Sequence, residues 1–320
     1  MDLSVVIPIY NEADNLQALH AEVTAAVAGL DLDYEIVYVD DGSRDQSFAL
    51  LEKIAQADTH AVVVRFRRNF GQTAAMSAGF DHSLGKVIVT MDGDLQNDPR
   101  DIPKLLAKLN EGYDIAAGWR HDRQDPYLTR KLPSQLANGL ISRITKVELH
   151  DYGCTLKAFK REVVQNIRLY GEMHRFIPAI ASLMGVHIAE VPVNHRPRRA
   201  GVSKYGLGRT VRVVLDLITV KFLLTYATRP IQIFGLWGLV AGGVGFLLAL
   251  YYAVQRLFMG VPLGNKPGLL LAVLLIFIGV QLISIGLVGE MQVRTYYETQ
   301  QKPTYTVRQV LGRPPSKSGD

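Results

Sequence analysis

The sequence predicts an α/β protein: a mostly parallel sheet domain, then amphipathic interface helices, then a two-helix transmembrane hairpin. Three observations carry this. Short apolar runs alternate with helix-type spacing through residues 3–111. Carboxylates gather where three of those runs stop. Two long stretches without charge follow near the C-terminus.

Four runs read as buried strands: 3–9 "LSVVIPI", 34–40 "YEIVYVD", 61–66 "AVVVRF" and 86–91 "KVIVTM"; 113–118 "YDIAAG" reads as a weaker fifth. Between them, residues 13–29, 45–57, 71–84 and 100–111 carry helical spacing. Ser43 and Gln46 form the pattern of a capping box at the start of the second helix. Strand–helix alternation predicts a parallel sheet covered on both faces. Ligands in such sheets bind beyond the carboxyl ends of the strands. That rule selects "PIYNE", "DDGS" and "DGDLQ".

From residue 119 the pattern changes. Residues 130–146 place Leu132, Leu136, Leu140, Ile141 and Ile144 at helical spacing, with basic residues at both ends. Such a helix either packs on the sheet or lies on a membrane surface. Residues 207–229 repeat the pattern and lead into the first uncharged run. The runs 231–254 and 268–289 carry no charge. Each makes a helix of roughly 33–36 Å, long enough to cross a hydrocarbon core. Eight basic residues lie between Arg196 and Arg229 and five after residue 289, against two in the connecting loop 256–267. The bias places the large domain in the cytoplasm. The start of the chain has no signal-peptide pattern.

Composition narrows the function. Hydrophobic residues make up 48% of the 320 residues, and the surplus sits in the two uncharged runs. Net charge is only +5, so charge points to no nucleic acid. The one cysteine, Cys154, excludes an internal disulfide. The eight histidines lack ligand spacing, which argues against zinc. No G-x-G-x-x-G follows the first strand, and no P-loop pattern occurs.

Asp92 and Asp94 flank Gly93 at the end of the fourth run. Two carboxylates one residue apart repel unless something positive lies between them. Hard oxygens on one turn suit Mg²⁺ or Mn²⁺, which leave positions for water and substrate phosphates. Gln96 can add a carbonyl oxygen. The competing reading is a polar turn capping a helix before Pro99. Asp40 and Asp41, at the end of the second run, can accept from a base or a ribose, or form an ordinary Asx turn.

Six ordered stretches, "VVIPIYNE", "VDDGS", "RNFGQTAAMSAGF", "MDGDLQNDPRDIP", "DYGCTLKAFKRE" and "RRAGVSKY", resemble the family-2 glycosyltransferases of the GT-A fold. More narrowly, the chain resembles the polyprenyl-phosphate glycosyltransferases, from about residue 3 to 310. "RNFGQ" and "DYGC" look closest to the bacterial undecaprenyl-phosphate enzymes.

The resemblance implies a membrane-bound, metal-dependent, inverting enzyme. It would move one sugar from a nucleotide sugar, a UDP-sugar by resemblance, to undecaprenyl phosphate for cell-envelope glycan or lipid A modification. Transfer of a single sugar fits the absence of the Q-x-x-R-W of processive relatives. The implied cofactor is Mg²⁺ or Mn²⁺. The implied partners are the nucleotide sugar, the polyprenyl phosphate and the lipid bilayer; a homo-oligomer is compatible with it.

Residue by residue, Pro8, Tyr10, Glu12, Asp40, Asp41, Gln72 and Gly93 fall on the nucleotide-sugar side. Asp92, Asp94 and Gln96 fall on the metal. Arg120, Arg130 and Ser134 fall on the acceptor phosphate. Arg198 and Lys204 fall on a loop over the active site. Asp151 aligns with an acidic position of the mannose synthases, where bacterial glucosyltransferases differ. The expected organisation is a cytoplasmic catalytic domain over 1–205, a juxtamembrane helix over 206–229, two crossings within 230–290, and a cytoplasmic tail over 291–320. The expected location is the bacterial inner membrane. Two other classes compete: a non-catalytic membrane-anchored nucleotide-sugar binder or assembly protein, and a small transporter. Intact acidic and basic motif residues argue against the first. Two helices without internal charge offer the second no polar path.

Overall fold

The computed structural model describes residues 1–121, 147–167, 173–197, 231–260, 266–299 and 305–312, together with Gly139, Ser142, Leu169 and Pro262. The expected helix over 130–146 and the juxtamembrane helix over 207–229 lie outside the described residues, apart from Gly139 and Ser142. The chain divides into two units, Met1–Val220 with Pro303–Asp320, and Lys221–Lys302.

The first unit is built on an eight-stranded sheet in the order β7-β5-β6-β4-β1-β2-β3-β8. The strands are β1 (Leu3–Ile9), β2 (Tyr34–Asp40), β3 (Ala61–Phe66), β4 (Val87–Thr90), β5 (Ile115–Trp119), β6 (Lys157–Lys160), β7 (Ile188–Pro192) and β8 (Val307–Leu311). Strands β4, β1, β2 and β3 are mutually parallel, and β5 is parallel to β7. Strand β6 runs antiparallel to both β4 and β5, and β8 antiparallel to β3.

Four helices connect the first strands: α1 (Ala13–Ala28), α2 (Ser47–Ala57), α3 (Gln72–His82) and α4 (Ile102–Asn110). Continuous apolar runs are what a sheet covered on both faces requires. Val5, Ile7 and Ile9 of β1 join one core with Leu16, Leu19, Val23 and Val27 of α1 and Leu51 of α2. The alternate residue Val6 meets α3 on the other face, where Gly79 lets the helix approach closely.

The capping box does not form. Helix α2 starts at Ser47 without a side-chain cap. Ser43 is drawn away because its Oγ accepts from the Asn11 N–H at 3.0 Å, tying the ends of β1 and β2 together. Strands β6, β7 and β8 have no counterpart in the sequence expectations. Strand β6 is four residues long with a lysine at each end, so no apolar run announces it. Lys157 lies buried in it, with Nζ reaching the carbonyls of Tyr152 and Cys154.

Residues 291–320, expected as a tail, contain the end of a helix and the edge strand β8. Tyr305 stacks on Phe66 with centroids 5.0 Å apart. Its hydroxyl donates to Asp81 at 2.7 Å.

The second unit contains two apolar helices, α7 (Ile231–Met259) and α8 (Pro267–Thr299), numbered after the short α5 (Arg161–Gln165) and α6 (Ile177–Ala181). Both are longer than the uncharged runs. Segments Phe234–Met259 and Pro267–Gly289 are long and apolar enough to cross a membrane. The helices pack closely: a Cβ on Gly279 would meet the Gly238 carbonyl at 2.7 Å. Their remaining faces expose large apolar side chains such as Leu239, Phe246, Phe258 and Leu270.

Candidate active site

Strands β4, β1 and β2 are adjacent and parallel, so their carboxyl ends lie side by side. This places "DGDLQ", "PIYNE" and "DDGS" along one edge. Ile9 pairs with Asp40, and the Asp41 N–H donates to the Ile9 carbonyl at 2.9 Å. Asn11 adopts a positive φ of 53°, and its side chain accepts from the Arg44 N–H at 2.8 Å. The Glu12 N–H donates to Ser47 Oγ at 2.9 Å, and Glu12 Oε2 accepts from Asn15 at 2.8 Å. Pro8, Tyr10 and Glu12 are all partly exposed on this edge.

Gly93 is set by close approach. A Cβ there would lie 2.6 Å from Ile9 Cδ1 and 3.3 Å from the Pro8 carbonyl. The Asp-Gly-Asp turn is thus pressed against the end of β1, and any side chain at 93 would have to displace Ile9.

Asp41 organises a second loop. Its carboxylate accepts from Asn69 Nδ2 at 2.9 Å, the Phe70 N–H at 2.6 Å and the Gly71 N–H at 2.9 Å. Burial pushes its carboxyl up to about 6, against the pull of these backbone donors. Asp40 is fully buried, and burial raises its carboxyl too. Its Oδ1 accepts from the Ser43 N–H at 3.0 Å, while Oδ2 has no hydrogen bond and faces Arg65 Nε at 3.7 Å.

Asp92 is held from both sides. Gln72 Nε2 donates to Oδ1 at 2.8 Å, and Thr155 Oγ1 donates to Oδ2 at 2.7 Å. Its backbone N–H donates to Asn97 Oδ1 at 3.0 Å. Burial, then the Asp94 charge, pushes the Asp92 carboxyl up to about 6; Thr155, Arg120 and Lys157 pull against that rise. Asp94 is 8% exposed, and its Oδ1 accepts from the Gln96 N–H at 3.2 Å. Gln96 Nε2 donates to the Arg196 carbonyl at 3.4 Å.

Among the described residues, no cluster of three or more His, Cys, Asp or Glu forms a self-sufficient metal cage. Mg²⁺ and Mn²⁺ do not need one, since they bind through one or two carboxylates plus substrate phosphates and water. Two carboxylates one residue apart on one turn, with Asp92 raised by burial and by the Asp94 charge, fit such a cation.

Arg120 and Asp151 form a pair. Arg120 Nε donates to Asp151 Oδ2 at 2.7 Å, and Nη2 donates to Oδ1 at 2.9 Å. The Arg120 side chain is 15% exposed and that of Asp151 is 3% exposed. Burial pulls the guanidinium down, but the Asp151 pairing outweighs it and holds the group above its ordinary value. Asp151 is therefore committed to a cation and is not a free carboxylate. Arg130, Ser134, Arg198 and Lys204 lie outside the described residues.

Thr155 and Asn97 were not singled out by sequence reasoning. Thr155 stands 63 positions from Asp92, and neither residue type advertises a role. The only local signal was their presence inside two of the quoted motifs.

Comparison with known proteins agrees with this arrangement. Residues 4–168 match the Glycosyl transferase family 2 profile. The chain is 44% identical over 315 residues to "Dodecaprenyl-phosphate galacturonate synthase" of Rhizobium johnstonii, covering 97% of this chain and 93% of that protein. Crystal structures of glucosyl-3-phosphoglycerate synthase from Mycobacterium tuberculosis share the fold. One, with phosphoglyceric acid, has a TM-score of 0.54 at 20% identity, covering 70% of this chain and 79% of that one. Another, with Mn²⁺, uridine-diphosphate and phosphoglyceric acid, has a TM-score of 0.55 at 19% identity, covering 70% and 78%. The sheet with three acidic strand ends, the ordered motifs and a relative matched along nearly the whole length lead to one conclusion: this chain is a glycosyltransferase with the GT-A fold and belongs to glycosyl transferase family 2.

Proposed function

We propose that the protein transfers one sugar from a UDP-sugar to a polyprenyl phosphate at the cytoplasmic surface of the bacterial inner membrane, using a divalent cation. The observation that carries this is the 44% identity to a dodecaprenyl-phosphate galacturonate synthase, which extends through the two apolar helices. The same relative makes a galacturonate the leading candidate for the sugar.

The residues divide the work. Pro8, Tyr10, Glu12, Asp40 and Asp41 border the nucleoside. Gln72 and Gly93 shape the turn at the diphosphate. Asp92, Asp94 and Gln96 hold Mg²⁺ or Mn²⁺. When bound, the cation supplies positive charge to the leaving diphosphate.

Arg120, aimed by Asp151, faces the acceptor phosphate with Arg130 and Ser134. A lipid phosphate is already anionic at neutral pH, so it needs orientation more than a base. Guanidinium forks suit that task. Arg198 and Lys204 complete the contacts to the diphosphate.

The test is direct. Purified full-length protein is incubated with undecaprenyl phosphate and a panel of UDP- and GDP-sugars including UDP-galacturonate. A single-sugar lipid product from one UDP-sugar is expected. No product from any donor, with donor still bound, would favour the non-catalytic binder.

The proposed topology accords with the division into two units. The chain leaves the first unit before residue 221 and rejoins it after residue 302. Two crossings would return it to the side where β8 pairs with β3. In cells, a cysteine at Gly264 is expected to label from outside and one at Ser316 only from the cytoplasm. Cys154 is buried and adds little background. Equal cytoplasmic access at both positions would mean that the helices are not crossings.

A further inference from the structure

Asp92 has a partner that the metal reading does not use. Thr155 precedes β6, the strand antiparallel to β4. Thr90 Oγ1, two residues before Asp92 at the end of β4, donates to the Thr155 carbonyl at 2.7 Å and fixes its backbone. The Thr155 hydroxyl then faces two acceptors: Asp92 Oδ2 at 2.7 Å and Asn97 Oδ1 at 3.0 Å. A hydroxyl has one proton to give. The carboxylate is the stronger and nearer acceptor, and Asn97 Oδ1 already accepts the Asp92 N–H at 3.0 Å.

With Gln72 on Oδ1, this bond fixes the plane of the Asp92 carboxylate. Each oxygen has two lone-pair sites, so one hydrogen bond on each leaves room for a ligand.

We infer that Thr155 is a positioning residue for the metal site: its hydroxyl holds Asp92 in the orientation that binds the cation. The inference rests on the proposed metal role of Asp92. Groups that orient a metal ligand are worth roughly 10–100-fold in affinity or activity.

The experiment compares Thr155→Val, which keeps the shape and removes the hydroxyl, with Thr155→Ser, which keeps the hydroxyl. Mn²⁺ binding to full-length protein in the presence of UDP is followed by electron paramagnetic resonance. KM for undecaprenyl phosphate and the thermal unfolding midpoint are measured in parallel. Thr155→Val is expected to weaken Mn²⁺ binding roughly 10–100-fold, with unfolding and the acceptor KM near those of the parent. Thr155→Ser is expected to bind Mn²⁺ nearly as the parent does. If Thr155→Val binds Mn²⁺ as tightly as the parent, or if Thr155→Ser is as weak as Thr155→Val, the positioning role is wrong while the metal reading stands. If the parent binds no Mn²⁺ and is fully active in EDTA, the metal reading fails and takes this inference with it.

Discussion

Asp92→Asn or Asp94→Asn is expected to lower turnover at least a hundredfold, about 2.7 kcal/mol of transition-state stabilisation, without unfolding the protein. The proposed function requires these carboxylates to hold a cation against the leaving diphosphate. The Asp92 charge is otherwise a burden. Burial, followed by the neighbouring Asp94 charge, raises the Asp92 carboxyl to about 6. A carboxyl whose folded pKa lies above its unfolded value costs stability once pH exceeds the unfolded value. At neutral pH an amide at position 92 removes that cost, so the unfolding midpoint should hold or rise. EDTA should reproduce the loss of turnover in the parent protein. Full activity in EDTA, or unfolding of Asp94→Asn, would sink this account.

Asp151→Ala is expected to have the largest effect on stability. It leaves the Arg120 guanidinium, only 15% exposed, without its two-point partner. Breaking a buried pair from one side costs roughly 3–5 kcal/mol, because the remaining charge stays buried. Replacing both partners by apolar residues of similar size, Arg120→Met with Asp151→Leu, is expected to recover most of that stability. It should not recover turnover, since the proposed contact to the acceptor phosphate is gone. Thermal unfolding and steady-state rates of Asp151→Ala and of the double variant separate the two roles. The opposite pattern, an inactive Asp151→Asn with normal stability and normal acceptor KM, would return Asp151 to the role of a catalytic base.

The pair also shows why residue type alone misleads. Arg120 and Asp151 each read as a functional group in the linear chain, one for phosphate and one of doubtful purpose. They are 31 positions apart, and only the fold reveals that each accounts for the other. A carboxylate that repels an anionic nucleophile becomes harmless, even useful, once its charge is spent on aiming a guanidinium.

The parts whose signal is local can be read along the chain. Continuous apolar runs mark β1, β2 and β3 at the bounds the structure shows, because a strand buried on both faces must be apolar throughout. The strand-end rule located Asp92, Asp94, Asp41 and Glu12 for the same reason: the residues after a buried strand are the first free to be polar. The two uncharged runs predicted the apolar helices, since length and hydropathy suffice for that. Features that depend on distant partners emerge only in the folded chain. Strands β6 and β8 exist because β4 and β3 offer open ladders, not because their own residues demand a strand. Ser43 left its helix for Asn11, and Thr155 met Asp92, through contacts spanning 32 and 63 positions. Periodicity records which side of an element is buried; it holds no record of which residue waits there.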